Sequence, residues 1–119
     1  MTDRTALVTA LAYHRAWTGH DFELAMTYVA PDIVVDAPAG RLEGAQAFRA
    51  FMGPFERMLT ASELVAAFGD EETAVLMYRT ETVVVPDAPG AEHLTIHNGL
   101  ITRMRIVFDR LPFEAARKA

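Results

Sequence analysis

The hydrophobic pattern of this chain turns from mainly helical to extended near Ala61, and that change limits the fold more than any other feature. Before it, apolar side chains recur at spacings of three and four, as in amphipathic helices. After it come runs rich in Val, Thr and aromatics, as in strands. Helices first and antiparallel strands after predict an α+β domain, with helices covering one face of a curved sheet.

Within the first half, Ala6, Leu7, Ala10, Leu11, Tyr13, His14 and Trp17 share one arc of a helix that Thr2 or Asp3 can cap. Gly19 ends it, and Asp21 caps a second helix whose buried stripe is Phe22, Ala25, Met26 and Val29. Pro31-Asp32 closes that helix, and Ile33 to Ala37 reads as a β-branched strand stopped by Pro38-Ala39-Gly40. Phe48, Phe51, Met52, Phe55, Met58 and Leu59 then give the best helical spacing in the chain, starting near Ala45. Gly53-Pro54 lies in the middle of it and predicts a kink or break, because proline lacks an amide and collides with the preceding turn. Strands follow at 61–68, 73–85, 92–97 and 100–109, the last two joined by Asn98-Gly99. Those two residues tolerate the positive φ of a tight hairpin turn.

A length of 119 residues suits a single domain spanning the chain, with a core that needs no staples. There is no cysteine, which removes disulfides, thiolate catalysis and thiolate metal sites. A net charge of −5 without a basic cluster argues against nucleic acid. The first residues carry Asp3 and Arg4, and Thr and His interrupt their apolar run, so neither a leader nor a membrane span is expected. A soluble cytoplasmic protein is the expectation.

Nucleophile elbows, zinc-protease motifs and phosphate-binding glycine loops are all missing from the sequence. His93 and His97 have the four-residue spacing of a helical metal pair, but on a strand that spacing separates them by about 13 Å. No metal site is expected. Tyr13 and Trp17, one helical turn apart, read either as core aromatics or as a hydroxyl donor and a wall of a cavity. His14 lies in the same apolar arc and reads more readily as a buried histidine bonded to the backbone than as a base. Asp36 stands among Ile33, Val34, Val35, Ala37 and Pro38, either at an exposed strand edge or in a dry site that would raise its pKa. Asp109 at the end of the last strand and Glu92 at the start of the one before carry the same ambiguity. Phe48, Phe51, Phe55, Met58, Met77, Met104 and Phe108 are core residues by default and could also line an apolar pocket, to which Tyr78 is added as a candidate.

Taken together, Tyr13, Trp17, Gly19-His20-Asp21, Ala30-Pro31-Asp32, Asp36-Ala37-Pro38-Ala39-Gly40, Gly44, Phe48, Glu92-His93 and Asn98-Gly99-Leu100-Ile101 resemble the SnoaL-like branch of the nuclear transport factor 2-like superfamily, which includes the ketosteroid isomerases. The resemblance spans roughly residues 5–109. It implies a cone of three helices on a strongly curved mixed sheet, in the order α-α-β-α-β-β-β-β, with a deep apolar pocket and homodimerisation through the sheet. It also implies a cofactor-free acid/base enzyme, an isomerase or an aldol-type cyclase, acting on a hydrophobic carbonyl or polyketide-like molecule.

Compared with the isomerases, Tyr13 falls at the oxyanion tyrosine and Glu92 at the neutral carboxylic acid that donates beside it; ketosteroid isomerase is the familiar case of such an acid. The base position falls on Ala37, one residue after Asp36. Compared with the cyclases, Asp109 falls near the acid/base aspartate, while the histidine expected before it is replaced by Arg103-Met104-Arg105. A non-catalytic pocket protein or dimeric accessory module is the alternative. An epoxide hydrolase is a lesser one, needing Asp36, Arg79 or Arg105, and Asp109 to converge.

Overall fold

Thr5–Thr18 winds into helix α1 and buries Ala6, Ala10, Tyr13, His14 and Trp17 along the arc that the spacing predicts. This computed structural model describes residues 5–118, so the capping role of Thr2 or Asp3 lies outside the described residues. The helix stops in a paired-amide turn. His20 N–H donates to Trp17 O and Asp21 N–H to Ala16 O, with His20 at φ 64° in the left-handed position that usually takes glycine. Gly19 ends the helix as expected, although the left-handed residue is His20; a Cβ on Gly19 would sit 2.9 Å from Arg15 O.

The Asp21 carboxylate accepts from Leu24 N–H at 3.2 Å and starts the short helix α2, Phe22–Met26. Helix α2 ends earlier than the sequence suggests. Val29, read there as part of the helical stripe, opens strand β1 (Val29–Ala37), and Pro31-Asp32 lies inside that strand. Proline is tolerated because the ladder is interrupted there: β1 pairs at Val29 and resumes at Val34. Pro38-Ala39 then reverses the chain into β2, Gly40–Glu43, a short edge strand with no apolar alternation to announce it.

Helix α3, Ala45–Met58, buries Phe48, Met52 and Glu56 and runs unbroken through Pro54. The break expected at Gly53-Pro54 does not form. Proline deprives only the Ala50 carbonyl of its helical partner, and Ala50 is exposed, so water can take that bond. Strands β3 (Leu59–Gly69), β4 (Thr73–Thr82), β5 (Ala88–His97) and β6 (Leu100–Phe108) follow. Asn98 at φ 52° and Gly99 at φ 77° make the tight β5–β6 turn that their types demand. A further helix that the sequence reading did not foresee, α4, occupies Leu111–Lys118.

The strands form one mixed six-stranded sheet in the order β2-β1-β6-β5-β4-β3. Only β1 and β6 run parallel. Register shifts in β3, β1 and the β5–β6 pair are places where one strand carries more residues than its partner and bends, and they accompany the curvature of the sheet. Its concave face carries Leu76, Tyr78, Leu94, Ile96, Ile101 and Met104, and these pack with α1 and α3 into one core. No helix among the described residues is long and apolar enough to cross a membrane.

Candidate functional site

Strict alternation along β4 and β5 decides which polar groups enter the concave face. On β5, Glu92, Leu94 and Ile96 point inward, while His93 and His97 are exposed on the outer side. Glu92 pairs with Leu76 on β4 and Ile106 on β6, both buried, so a carboxyl group is set between two aliphatic side chains. Tyr78 stands diagonally from Glu92, opposite Gly90. A Cβ on Gly90 would meet the Tyr78 ring at 3.3 Å, so the glycine leaves room for the ring.

Around this pair the interior is aromatic. The rings of His14 and Tyr78 lie 5.1 Å apart, those of His14 and Trp17 5.3 Å, and those of Trp17 and Tyr78 5.8 Å. Tyr13 is fully buried behind them and tilts against Phe48. Most buried polar atoms in a protein have a hydrogen-bond partner. Here both carboxyl oxygens of Glu92, the Tyr13 hydroxyl, the Trp17 indole nitrogen and His14 Nδ1 have none within the protein.

The ionisation of these groups follows from their burial. Removal from water pushes Glu92, 1 % exposed, up to about 7, and the nearby Tyr78 hydroxyl opposes that rise. By geometry neither Glu92 oxygen has a hydrogen-bond partner within the protein, so the effect of Tyr78 on it is that of a nearby hydroxyl. Burial, then the Glu92 charge, raises Tyr13; the same two effects, with Tyr13 adding to them, raise Tyr78. Burial, then Arg15, lowers His14 to about 4, so its imidazole is neutral at physiological pH.

A cavity of about 330 Å³ opens onto this cluster. Glu92, Tyr78 and Thr80 enter it from the sheet; Phe51, Met52 and Phe55 from α3; and Phe113, Glu114 and Arg117 from α4. Of the residues singled out from the sequence, Glu92, Phe51, Phe55, Tyr78 and Phe108 line it. Tyr13, His14, Trp17, Phe48 and Met104 lie in the core and outside that lining, Met58 is half-buried at the end of α3, and Met77, expected in the core, is exposed because the alternation of β4 turns it to the outer face.

Two carboxylates go elsewhere. Val35 points inward on β1, so Asp36 points outward, where its oxygens lie 3.0 Å from Arg41 Nε, 3.0 Å from Arg103 Nη2 and 3.8 Å from Arg105 Nη2. Hydrogen bonding to Arg41, against a smaller desolvation effect, leaves its pKa below the ordinary value, the opposite of a dry general base. Asp109 accepts from Leu111 N–H at 3.0 Å and so starts α4. Arg79 is held by Asp87 and Glu63, and Arg105 lies beside Asp36, so the three residues of an epoxide-opening site do not meet in the cavity. Among the described residues no three His, Asp or Glu side chains gather as a metal site would require.

Sequence reasoning missed Thr80, Arg110, Phe113, Glu114 and Arg117 in the lining. The available signal was the spacing of three and four in Arg110, Phe113, Glu114 and Arg117, which marks one face of a helix.

The sequence profile of the SnoaL-like domain family matches residues 10–104. No curated protein matches the chain at a significant level. Among solved structures, one from Kribbella flavida DSM 17836 is 66% identical with a TM-score of 0.93, over 96% of this chain and 94% of that one. A nuclear transport factor 2-like protein of unknown function from Cytophaga hutchinsonii is 18% identical, with a TM-score of 0.76 over 96% of this chain and 97% of that one. A second Kribbella flavida structure, described as a candidate ketosteroid isomerase, is 17% identical with a TM-score of 0.76, over 92% of this chain and 82% of that one. The two more distant similarities establish a shared fold.

Proposed function

The chain belongs to the SnoaL-like domain family, and on that premise we propose that it is a cofactor-free enzyme moving a proton within a hydrophobic carbonyl compound. One observation carries this reading: Glu92 is a buried carboxyl on the cavity lining with both oxygens unbonded within the protein. A group near 7 in water-poor surroundings is poised both to take and to return a proton at neutral pH. As carboxylate, Glu92 removes a hydrogen from the carbon beside the carbonyl. The Tyr78 hydroxyl donates a hydrogen bond to the enolate oxygen, while Tyr13 lies in the core behind the lining and is not asked to touch the substrate. Where a double bond adjoins that carbon the intermediate is a dienolate, and Glu92 returns the proton to its far carbon, so the double bond shifts, the product is an isomer and nothing is consumed. Neither Asp36 nor Asp109 takes part.

Hydrogen–deuterium exchange at the α-carbon of unsaturated ketones, followed by NMR, tests this. The wild type accelerates exchange and Glu92→Gln loses at least about a hundredfold, the usual range for removing a general base. A Gln variant that exchanges as fast as wild type would sink the mechanism. Tight binding without exchange in the wild type would favour the second reading, a ligand-binding protein of the same fold. Two copies associate, in this proposal, through the outer face of the sheet, where Phe68, Val75, Met77 and Val107 stand exposed.

A further inference from the structure

We propose that the ligand of this cavity carries a carboxylate at the end remote from its carbonyl, and that Arg117 receives it. This rests on the carbonyl end lying against Glu92 and Tyr78. The far wall is α4, fixed by Phe113, whose ring lies 6.1 Å from that of Phe55 and 5.7 Å from that of Phe108. Arg110 immediately precedes α4, its carbonyl accepting from Glu114 N–H at 3.0 Å, and with Glu114 and Arg117, spaced four and three residues on, it lines the cavity on the side that Phe113 anchors.

Their charges do not cancel. Arg110 Nη2 lies 2.7 Å from Glu114 Oε1, which uses the one acid of this wall on the first arginine. Arg117 has no acidic partner among the described residues. The lining is otherwise mainly apolar, with Phe51, Met52, Phe55, Ile106 and Phe108 between sheet and helix. An amphipathic molecule with a neutral carbonyl head and an anionic tail matches this sequence of surfaces from floor to mouth. A neutral steroid-like molecule would leave the guanidinium without use. Arginine suits the task because its planar fork pairs with both oxygens of a carboxylate.

The cavity reports its own occupancy. Trp17 is the single tryptophan and packs 6.0 Å from Phe55 and 5.8 Å from Tyr78, two of the lining rings. Its fluorescence is titrated with 4-oxo-4-phenylbutanoate and with the methyl ester of that acid. The titration is run at pH 6, where Glu92 is neutral and does not repel the probe. The wild type is expected to prefer the acid roughly tenfold, the size of one charge-assisted bond at a partly exposed site. Arg117→Ala should bring the acid down to the ester, and Glu114→Gln, which releases Arg110, should raise the preference. Equal affinity for acid and ester in the wild type, or a preference that survives Arg117→Ala, overturns the assignment and leaves the carbonyl-pocket reading standing. If the wild type binds neither probe, both fall.

Discussion

Replacing Glu92 by Gln separates the charge of the buried group from its shape. In the folded protein the carboxyl titrates near 7, against an ordinary value of 4.5. Its folded pKa is therefore raised. The neutral form is the one the fold accepts, its contribution is fully present below the unfolded pKa, and stability is lost as pH rises toward and through 7. Linkage converts the difference into about 2–3 kcal/mol lost by the wild type between pH 5 and pH 8. Glutamine does not titrate, so Glu92→Gln lacks this loss, and whatever its amide costs to bury is the same at both pH values.

His14 acts in the opposite direction: its pKa is lowered, so its contribution is present above 6.5 and lost as pH falls toward 4. Both proteins contain His14, and comparing them largely removes its effect. Denaturant unfolding of wild type and variant at pH 5, 6, 7 and 8 reads the quantity directly. The variant should gain on the wild type steadily, by about 2–3 kcal/mol across the range. Parallel stability curves would refute the argument, because they would mean that Glu92 reaches water in the folded state.

Three other substitutions test the rest of the structure. Asp36→Asn and Asp109→Asn each leave the rate of α-carbon exchange within about twofold of wild type, since both carboxylates lie outside the cavity lining; a loss beyond tenfold in either, read by the same NMR assay, would return that aspartate to the mechanism. Gly69→Ala places a Cβ 2.8 Å from Thr73 O and 3.1 Å from Ala74, all at the β3–β4 turn, and is expected to cost about 1–3 kcal/mol in denaturant unfolding.

How much of this was legible in the sequence depends on how each residue sees its neighbours. The helix period of Ala6, Ala10, Tyr13 and Trp17 and the Asn98-Gly99 turn are local signals, and both appear in the fold as read. Strand β2 was not legible, because Gly40–Glu43 forms an edge strand through pairing with β1 and has no buried stripe of its own. Pro54 misled for a related reason: packing of Phe48, Met52 and Glu56 holds α3 together across a residue whose local preference is to break it.

For the site, Glu92 could be named, and its inward face was present in the alternation with Leu94 and Ile96 against His93 and His97. What no local pattern contained was the pairing of Glu92 with Leu76 and Ile106, and it is those two neighbours that keep it dry. The arginines that meet Asp36 come from β2 and β6, so its exposure too was a property of the sheet and not of the segment around it.

The parallel pairing of β1 with β6 has a consequence for how the molecule comes into being. The β1–β2 hairpin, packed against α3, joins the rest of the sheet only when the last strand arrives. Such long-range closure is slow compared with helix or hairpin formation. Glu92 shares this dependence, because Ile106 on that same last strand is one of the two walls around it. A chain emerging from the ribosome thus carries an ordinary, water-exposed glutamate until its final strand is in place. The unusual acid, and any chemistry that depends on it, is among the last features of the fold to exist.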